Sequence, residues 1–430
     1  MRKVVLFVLW AFSVLSLTAQ TARENLKRDL FKAGSNYYAY PKPSTSLTPA
    51  PKGMAPFYIS TYARHGSRYL IKEQEYNTPY NWLRKASESG KLTELGEKVY
   101  NQVAVLRKEA AFRWGELTPL GASQHRQIAQ RMYNNFPEVF EGTAIIDARS
   151  TVVIRCIISM ENALVQLTRN NPKLVIRSDA SQADMDYMNH QDTVLFRKRL
   201  PKETTETYKA FCDKHAIHQQ AMARLFNDSV YYRDSVDAYE LNKMIFKLAS
   251  SVQGTEQRYH FSLFDIYTID ELYACWLQYN AYWYMCFGNS PFNGGTQPYT
   301  QRKLLRKIIE DADNAIASPR NGATLRFGHE TIVLPLTCLL GLNGFGRQFF
   351  DLEELDVNGW LNFDVFPMAA NIQFVFYRKS PKDKDVLLKI LLNENEATLP
   401  LKTNQAPYYH WDDFRQHYLK LLDDYENRNH

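Results

Sequence analysis

Phe57-Tyr58-Ile59-Ser60-Thr61-Tyr62-Ala63-Arg64-His65-Gly66-Ser67-Arg68 is the stretch on which the architecture turns. Residues 57–62 alternate bulky β-forming side chains, the period of a strand, and the alternation stops at Arg64-His65-Gly66-Ser67-Arg68. A strand that delivers a charged loop at its C-terminal end belongs to an open α/β sheet, where ligands bind at that edge. Within the loop two guanidiniums flank one imidazole, and Gly66 lets the backbone turn tightly beside a ligand. Guanidinium forks match phosphate oxygens bidentately. A neutral imidazole held among them can attack phosphorus, and the nearby positive charge disfavours its protonation, so it stays nucleophilic in mild acid. Alone, the pentapeptide reads more readily as a solvated basic turn than as a site; the rest of the chain separates the two.

Downstream, Thr118-Pro119 is a good helix-start pair, and Ile128, Met132 and Phe136 return on one face. Thr143-Ala144-Ile145-Ile146-Asp147 reads as a second strand ending in a basic loop at Ala148-Arg149-Ser150-Thr151, and Lys173-Leu174-Val175-Ile176-Arg177 as a third. From about 180 to 305 the pattern is mostly helical, with Tyr, Trp and Met crowded over 272–287 and a basic stretch over 196–202. Strand texture returns at Ala323-Thr324-Leu325-Arg326-Phe327, over 371–377 and over 386–392. The expectation is an α/β core formed by 21–178 and 306–430, split by a helical cap insert at 179–305.

Three more segments follow the first in a fixed order: Gly115-Glu116-Leu117-Thr118-Pro119-Leu120-Gly121-Ala122-Ser123-Gln124-His125, then Arg149-Ser150-Thr151 with Arg155 and Ser159 behind it, then Phe327-Gly328-His329-Glu330-Thr331. Together they resemble the histidine acid phosphatases of the histidine phosphatase superfamily (branch 2), within the group that includes phytases and multiple inositol-polyphosphate phosphatases. The resemblance spans about residues 55–401. It implies a three-layer, phosphoglycerate-mutase-like core with a mainly parallel sheet and an inserted helical cap. By the same resemblance His65 is the phosphohistidine nucleophile, Arg64, Arg68 and Arg149 clamp phosphate, His329 is a further phosphate ligand, and Glu330 is the acid. A carboxyl group is needed there because the leaving alkoxide must be protonated, and the same group can then deprotonate the water that releases phosphate. No cofactor and no metal is expected, since three Arg residues supply the charge that phosphoryl transfer requires.

Two departures from the family pattern stand out. Leu70 replaces the Pro expected after the second Arg, which removes a rigid turn but no reacting group. Glu330 stands directly after His329, where phytases carry Asp and the inositol-polyphosphate members carry Glu one residue later. Lys72 is at the place where some bacterial phytases hold a substrate-contacting Lys, and it is taken as a substrate-binding candidate against a plain surface Lys. His125 is expected to pack behind the phosphate loop. His215 and His218 lie at a spacing zinc can use, but no third ligand accompanies them, and the aromatic stripe over 273–287 is expected to be helix core.

Composition narrows the class further. The chain has 430 residues, 45% hydrophobic and 23% charged, as expected of a globular protein. Met1-Arg2-Lys3 followed by an apolar run over 4–17 reads as a signal peptide, 1–20, too short for a bilayer span. Its removal takes away two cations and no acid, lowering the formal charge from +6 by two. That mild basicity suits small anionic substrates and falls short of a nucleic-acid-binding surface. The five cysteines are scattered without metal-finger spacing; an oxidising compartment permits disulfides, and buried thiols are the alternative. The expected activity is hydrolysis of phosphomonoesters of inositol polyphosphates by a secreted protein of a bacterial periplasm or outer-membrane vesicle. Residues 261–268 with Cys275 resemble the insert of the inositol-polyphosphate members. The alternatives are a broad-specificity or sugar-phosphate phosphatase, a phosphate-binding relative without catalysis, and a mutase, which a secretory leader disfavours.

Overall fold

β1 (Ala55–Arg64) shows why the sheet is covered on both faces: Tyr58 and Tyr62 point into one buried cluster while Ile59 and Ala63 point into another. A strand buried on both sides must lie inside a sheet with helices on each face. The computed structural model describes residues 22–189, 192–199, 201–216 and 218–429, without side chains at 203, 204, 218, 219 and 429. The leader expected at 1–20 lies outside these residues, as do His190, Leu200 and the side chain of His218.

The remaining strands are β2 (Ile145–Ser150), β3 (Val175–Asp179), β4 (Gly322–Gly328), β5 (Asn371–Arg378), β6 (Leu387–Leu392), β7 (Asn395–Glu396) and β8 (Tyr409–His410). They form one eight-stranded sheet in the order β3-β2-β4-β1-β5-β6-β7, with β8 pairing β6. β3, β2, β4 and β1 run parallel, and β5 joins β1 antiparallel. The parallel group brings the C-terminal ends of β1, β2 and β4 to one edge, beside the start of β5.

Helices Pro119–Asn135 and Ile154–Asn170 cover one face through Ala129, Met132, Met160, Leu164 and Leu167. Helices Arg302–Ala317, Glu330–Leu340 and Trp411–Asn429 cover the other, with Leu305, Ile308, Val333 and Phe414 buried. This is the three-layer α/β core. Between β3 and β4 the chain is helical, and Ile245 of helix Ala238–Val252 and Trp276 of helix Ile269–Phe287 share one cluster with Phe374 and Ile390 of the sheet. The boundary expected at 305 falls inside helix Arg302–Ala317. Trp276, Trp283, Tyr284 and Phe287 of the aromatic stripe are buried. All five cysteines are buried free thiols, so the disulfides that an oxidising compartment permits are not formed.

Candidate active site

The loop after β1 is held by close backbone approach. A Cβ on Gly66 would stand 2.4 Å from the Gly121 carbonyl oxygen, and one on Gly121 2.2 Å from that of Ser67. Only glycines allow the loop to lie directly on the N-terminus of helix Pro119–Asn135. Thr118 caps that helix by accepting from Gly121 N–H at 3.2 Å and donates to the Ser67 carbonyl at 3.1 Å. Gln124 accepts the Ser67 N–H at 2.9 Å, and Ser159 accepts the Gly66 N–H at 3.1 Å. On the far side His65 N–H donates to the Gly328 carbonyl at 2.9 Å, tying the loop to the end of β4.

His65 is buried, and its Nδ1 lies 2.9 Å from the Gly66 carbonyl. A carbonyl can only accept, so Nδ1 carries the proton and the Nε2 lone pair is free. Nε2 is buried without a hydrogen-bond partner and lies 3.7 Å from Glu330 Oε2. Burial, then the charges of Arg64, Arg155 and Arg68, hold the imidazole well below its usual range. It stays neutral in acid.

Arg64 is fully buried; its Nη1 donates to the carbonyls of Asn36 (2.6 Å) and Phe366 (2.9 Å), while its Nε lies 3.1 Å from Glu330 Oε2 without the alignment of a hydrogen bond. Nη2 has no partner, nor do the Nε atoms of Arg68 and Arg155. Buried guanidinium N–H groups left without acceptors around one imidazole form a cradle for an oxyanion. Arg68 also stacks over the Tyr37 ring at 5.2 Å.

His329 and Glu330 enter from β4. Gly328 is required there because an added Cβ would lie 1.9 Å from Tyr62 Oη. The His329 ring sits 5.8 Å from that of His65, with Nε2 3.2 Å from Thr151 Oγ1. Burial pushes it down to about 4. Glu330 opens helix Glu330–Leu340. Burial alone would raise its carboxyl, but Arg64, Arg68 and His329 outweigh it and hold it at about 2. Asn36 Nδ2 donates to Glu330 Oε1 at 3.5 Å. His65, His329 and Glu330 offer ligand atoms within 4.8 Å of one another, a spacing a cation could use, yet the three guanidiniums around them make the pocket a site for an anion.

The structure thus gathers His65, Glu330, Arg64, Arg68 and His329. It places Arg149 elsewhere, which corrects the expected clamp. β2 runs through Ser150, so Arg149 lies inside a strand rather than in a loop, and alternation sends its side chain to the face opposite Ile146 and Ala148. There its guanidinium donates to the Ala148 and Arg177 carbonyls and lies 3.6 Å from Asp184. Arg155, in the first turn of helix Ile154–Asn170, supplies the third charge on His65. Lys72 is exposed; its backbone N–H donates to the Glu75 carboxylate at 2.8 Å and its carbonyl accepts the Glu75 N–H at 3.1 Å. His125 packs edge-on against Phe327 behind the loop. His215 pairs with Glu353 at 2.9 Å. Asn36 and Tyr37 carried no signal in the sequence, since they precede the first strand and belong to no motif. Ser35 before them has φ 54° and ψ −119°, a turn that no spacing rule announces.

The sequence profile described as histidine phosphatase superfamily (branch 2) matches residues 60–393. Human multiple inositol polyphosphate phosphatase 1 is 21% identical over 411 residues, covering 85% of this chain and 80% of that protein. The fold is similar to that of the Bifidobacterium longum multiple inositol polyphosphate phosphatase in its phosphate complex, with a TM-score of 0.76, 16% identity and coverage of 90% of this chain and 97% of that one. The same protein is also solved in complex with inositol hexasulfate, at TM-score 0.74, with 16% identity and the same coverage. The D. castellii phytase gives a TM-score of 0.65 at 14% identity, covering 91% and 84%. With its profile match spanning most of the sequence and its imidazole set among buried guanidiniums at the strand ends, the chain belongs to the histidine phosphatase superfamily, branch 2.

Proposed function

We propose that this protein hydrolyses phosphomonoesters of inositol polyphosphates through a phosphohistidine formed on Nε2 of His65. The observation that carries the reading is the buried, partnerless Nε2 with three guanidiniums around it and Glu330 at 3.7 Å. In the first step the Nε2 lone pair forms a bond to phosphorus as the ester P–O bond breaks, and the leaving oxygen takes a proton from Glu330. In the second, Glu330 removes a proton from water, the water oxygen bonds to phosphorus, and the N–P bond breaks to release inorganic phosphate and neutral His65. Glu330 is ionised in the empty site. A bound phosphoryl group puts negative charge among the same guanidiniums, offsets their pull, and lets Glu330 hold the proton it donates. Arg64, Arg68 and Arg155 meet the charge on the equatorial oxygens throughout.

The inositol reading is supported by the names of the relatives and by the inositol hexasulfate held by the Bifidobacterium longum protein. Secretion to a periplasm or into outer-membrane vesicles is supported by residues 1–20, and no described helix is long and apolar enough to cross a membrane. The test is phosphate release from phytate, a sugar phosphate and an aryl phosphate, beside His65→Ala and a rapid alkaline, denaturing quench that preserves the N–P bond of labelled phosphoprotein. Preference for phytate, with label on the parent protein and none on His65→Ala, is expected. Equal rates on all three substrates would leave the nucleophile in place and favour a broad-specificity phosphatase; undiminished turnover by His65→Ala would overturn the mechanism.

A further inference from the structure

Ser35 stands in a backbone conformation that glycine fills at no cost and serine does not. Its φ of 54° and ψ of −119° are those of the first central residue of a type II′ turn. The glycine beside it serves another purpose, since a Cβ on Gly34 would lie 2.5 Å from Gln253 Nε2. Ser35 is fully buried, and strain on such a residue persists where surrounding contacts over-determine it. Two side chains supply those contacts. Gln253 donates from Nε2 to the Phe31 carbonyl at 3.0 Å and accepts the Ala39 N–H at 2.9 Å, closing residues 31–39 from one side. From the other, Asn362 Nδ2 donates to Ser35 Oγ at 2.8 Å.

Asn362 is fully buried, and its amide has one orientation open to it. Trp276 Nε1, which can only donate, lies 3.1 Å from Oδ1, so Nδ2 must face the serine. Asn280 fixes the backbone there by accepting the Asn362 N–H at 3.0 Å and donating to the Trp360 carbonyl at 2.9 Å. The residue after Ser35 enters the cradle. Arg64 Nη1 is shared by the carbonyls of Asn36 and Phe366, at 2.6 and 2.9 Å, and Asn36 Nδ2 reaches Glu330 Oε1 at 3.5 Å. Those two carbonyls come from the two segments that the Asn362–Ser35 bond joins, for Phe366 donates its N–H to the Asn362 carbonyl at 3.2 Å. A rotation at Ser35 would move the Asn36 carbonyl off Arg64 and the Asn36 amide off Glu330 together.

We propose that Asn362 is a positioning residue for phosphoryl transfer: it holds the strained Ser35 turn, and through Asn36 that turn keeps the Glu330 carboxyl aimed at the leaving oxygen. Serine stands where the backbone favours glycine because its Oγ is the acceptor that Asn362 needs. The inference rests on the phosphatase reading above, with Glu330 as the acid, and adds a residue that none of the four motifs contains.

The experiment measures the ratio of kcat/KM for an alkyl phosphate to that for nitrophenyl phosphate. That ratio reports proton delivery by Glu330 and does not change when a variant merely folds less completely. Ser35→Ala removes the acceptor and keeps the Cβ, and should lower the ratio about tenfold, the upper scale of one lost hydrogen bond. Ser35→Gly removes the same acceptor yet fits the turn without strain, and should return the ratio close to that of the wild type. Asn362→Ala breaks the bond from the other end and should act as Ser35→Ala does, with recovery when it is combined with Ser35→Gly. Where thermal melting shows that Asn362→Ala does not fold, the two Ser35 variants decide the matter. An unchanged ratio in Ser35→Ala, or a ratio in Ser35→Gly as low as in Ser35→Ala, would overturn the proposal. Failure of the phosphatase reading would show differently, as no His65-dependent cleavage of either substrate by the wild type, and failure of Glu330 as acid as equal losses on both substrates in Glu330→Gln.

Discussion

Replacing Arg155 and Arg149 in turn by Ala tests which guanidinium completes the clamp. Arg155 has a buried Nε without a partner and acts on the charge of His65, whereas Arg149 is engaged with Asp184 at 3.6 Å and with two carbonyls. Losing one charge-assisted contact to a phosphoryl oxygen costs about 1.5–3 kcal/mol, or about 10- to 150-fold in kcat/KM. Arg155→Ala should lose at least that much on an aryl phosphate, with orthophosphate inhibition weakened in parallel. It should also move the acid limb of kcat/KM. Arg155 depresses the His65 imidazole, so its removal lets that group rise toward 6.5 and activity begins to fall at a higher pH. Arg149→Ala breaks an ion pair whose side chains are 29% and 21% exposed, worth at most about 1 kcal/mol of stability, and should keep kcat/KM within about twofold. Steady-state kinetics, inhibition by orthophosphate and urea unfolding on both variants are sufficient. A loss in a well-folded Arg149→Ala equal to that in Arg155→Ala would refute the assignment.

Glu330→Gln should lose about 10²–10⁴-fold in kcat/KM on an alkyl phosphate and far less on a nitrophenyl phosphate, whose leaving group needs little protonation; equal losses in kcat/KM on both would remove Glu330 from the role of acid. Stability should fall as pH drops from about 6.5 toward 4. His125 and His329 are held by burial at about 4, so the unfolded rings take up protons before the folded ones do, at about 3 kcal/mol per ring. Urea midpoints across that range check this, and His125→Gln should flatten the slope; a midpoint that does not change with pH in the wild type would contradict it. Gly121→Ala drives a Cβ into the Ser67 backbone and should destabilise the fold by about 1–3 kcal/mol while abolishing orthophosphate binding, read by melting with and without the anion. Full retention of binding would show that the loop does not need its contact with the helix.

Much of this molecule is decided by short-range chemistry. β1 shows its alternation and its terminal Arg64-His65 in the sequence because a strand buried on both faces leaves few choices at each position, and Thr118-Pro119 announces a helix because capping is a local property. The motif order accordingly identified the family, and the strand pattern the sheet. Arg149 and Arg155 could not be told apart in that way. Whether a guanidinium faces a pocket or a flank depends on where β2 ends and helix Ile154–Asn170 begins, a boundary set by pairing with β3 and β4. Asn36 and Tyr37 reach the cradle from a segment ahead of β1, and nothing in their neighbours along the chain records that approach. The parallel sheet determines the approach by bringing the ends of β1 and β4 to one edge, where helix Ile154–Asn170 adds Arg155 and the segment ahead of β1 adds Asn36.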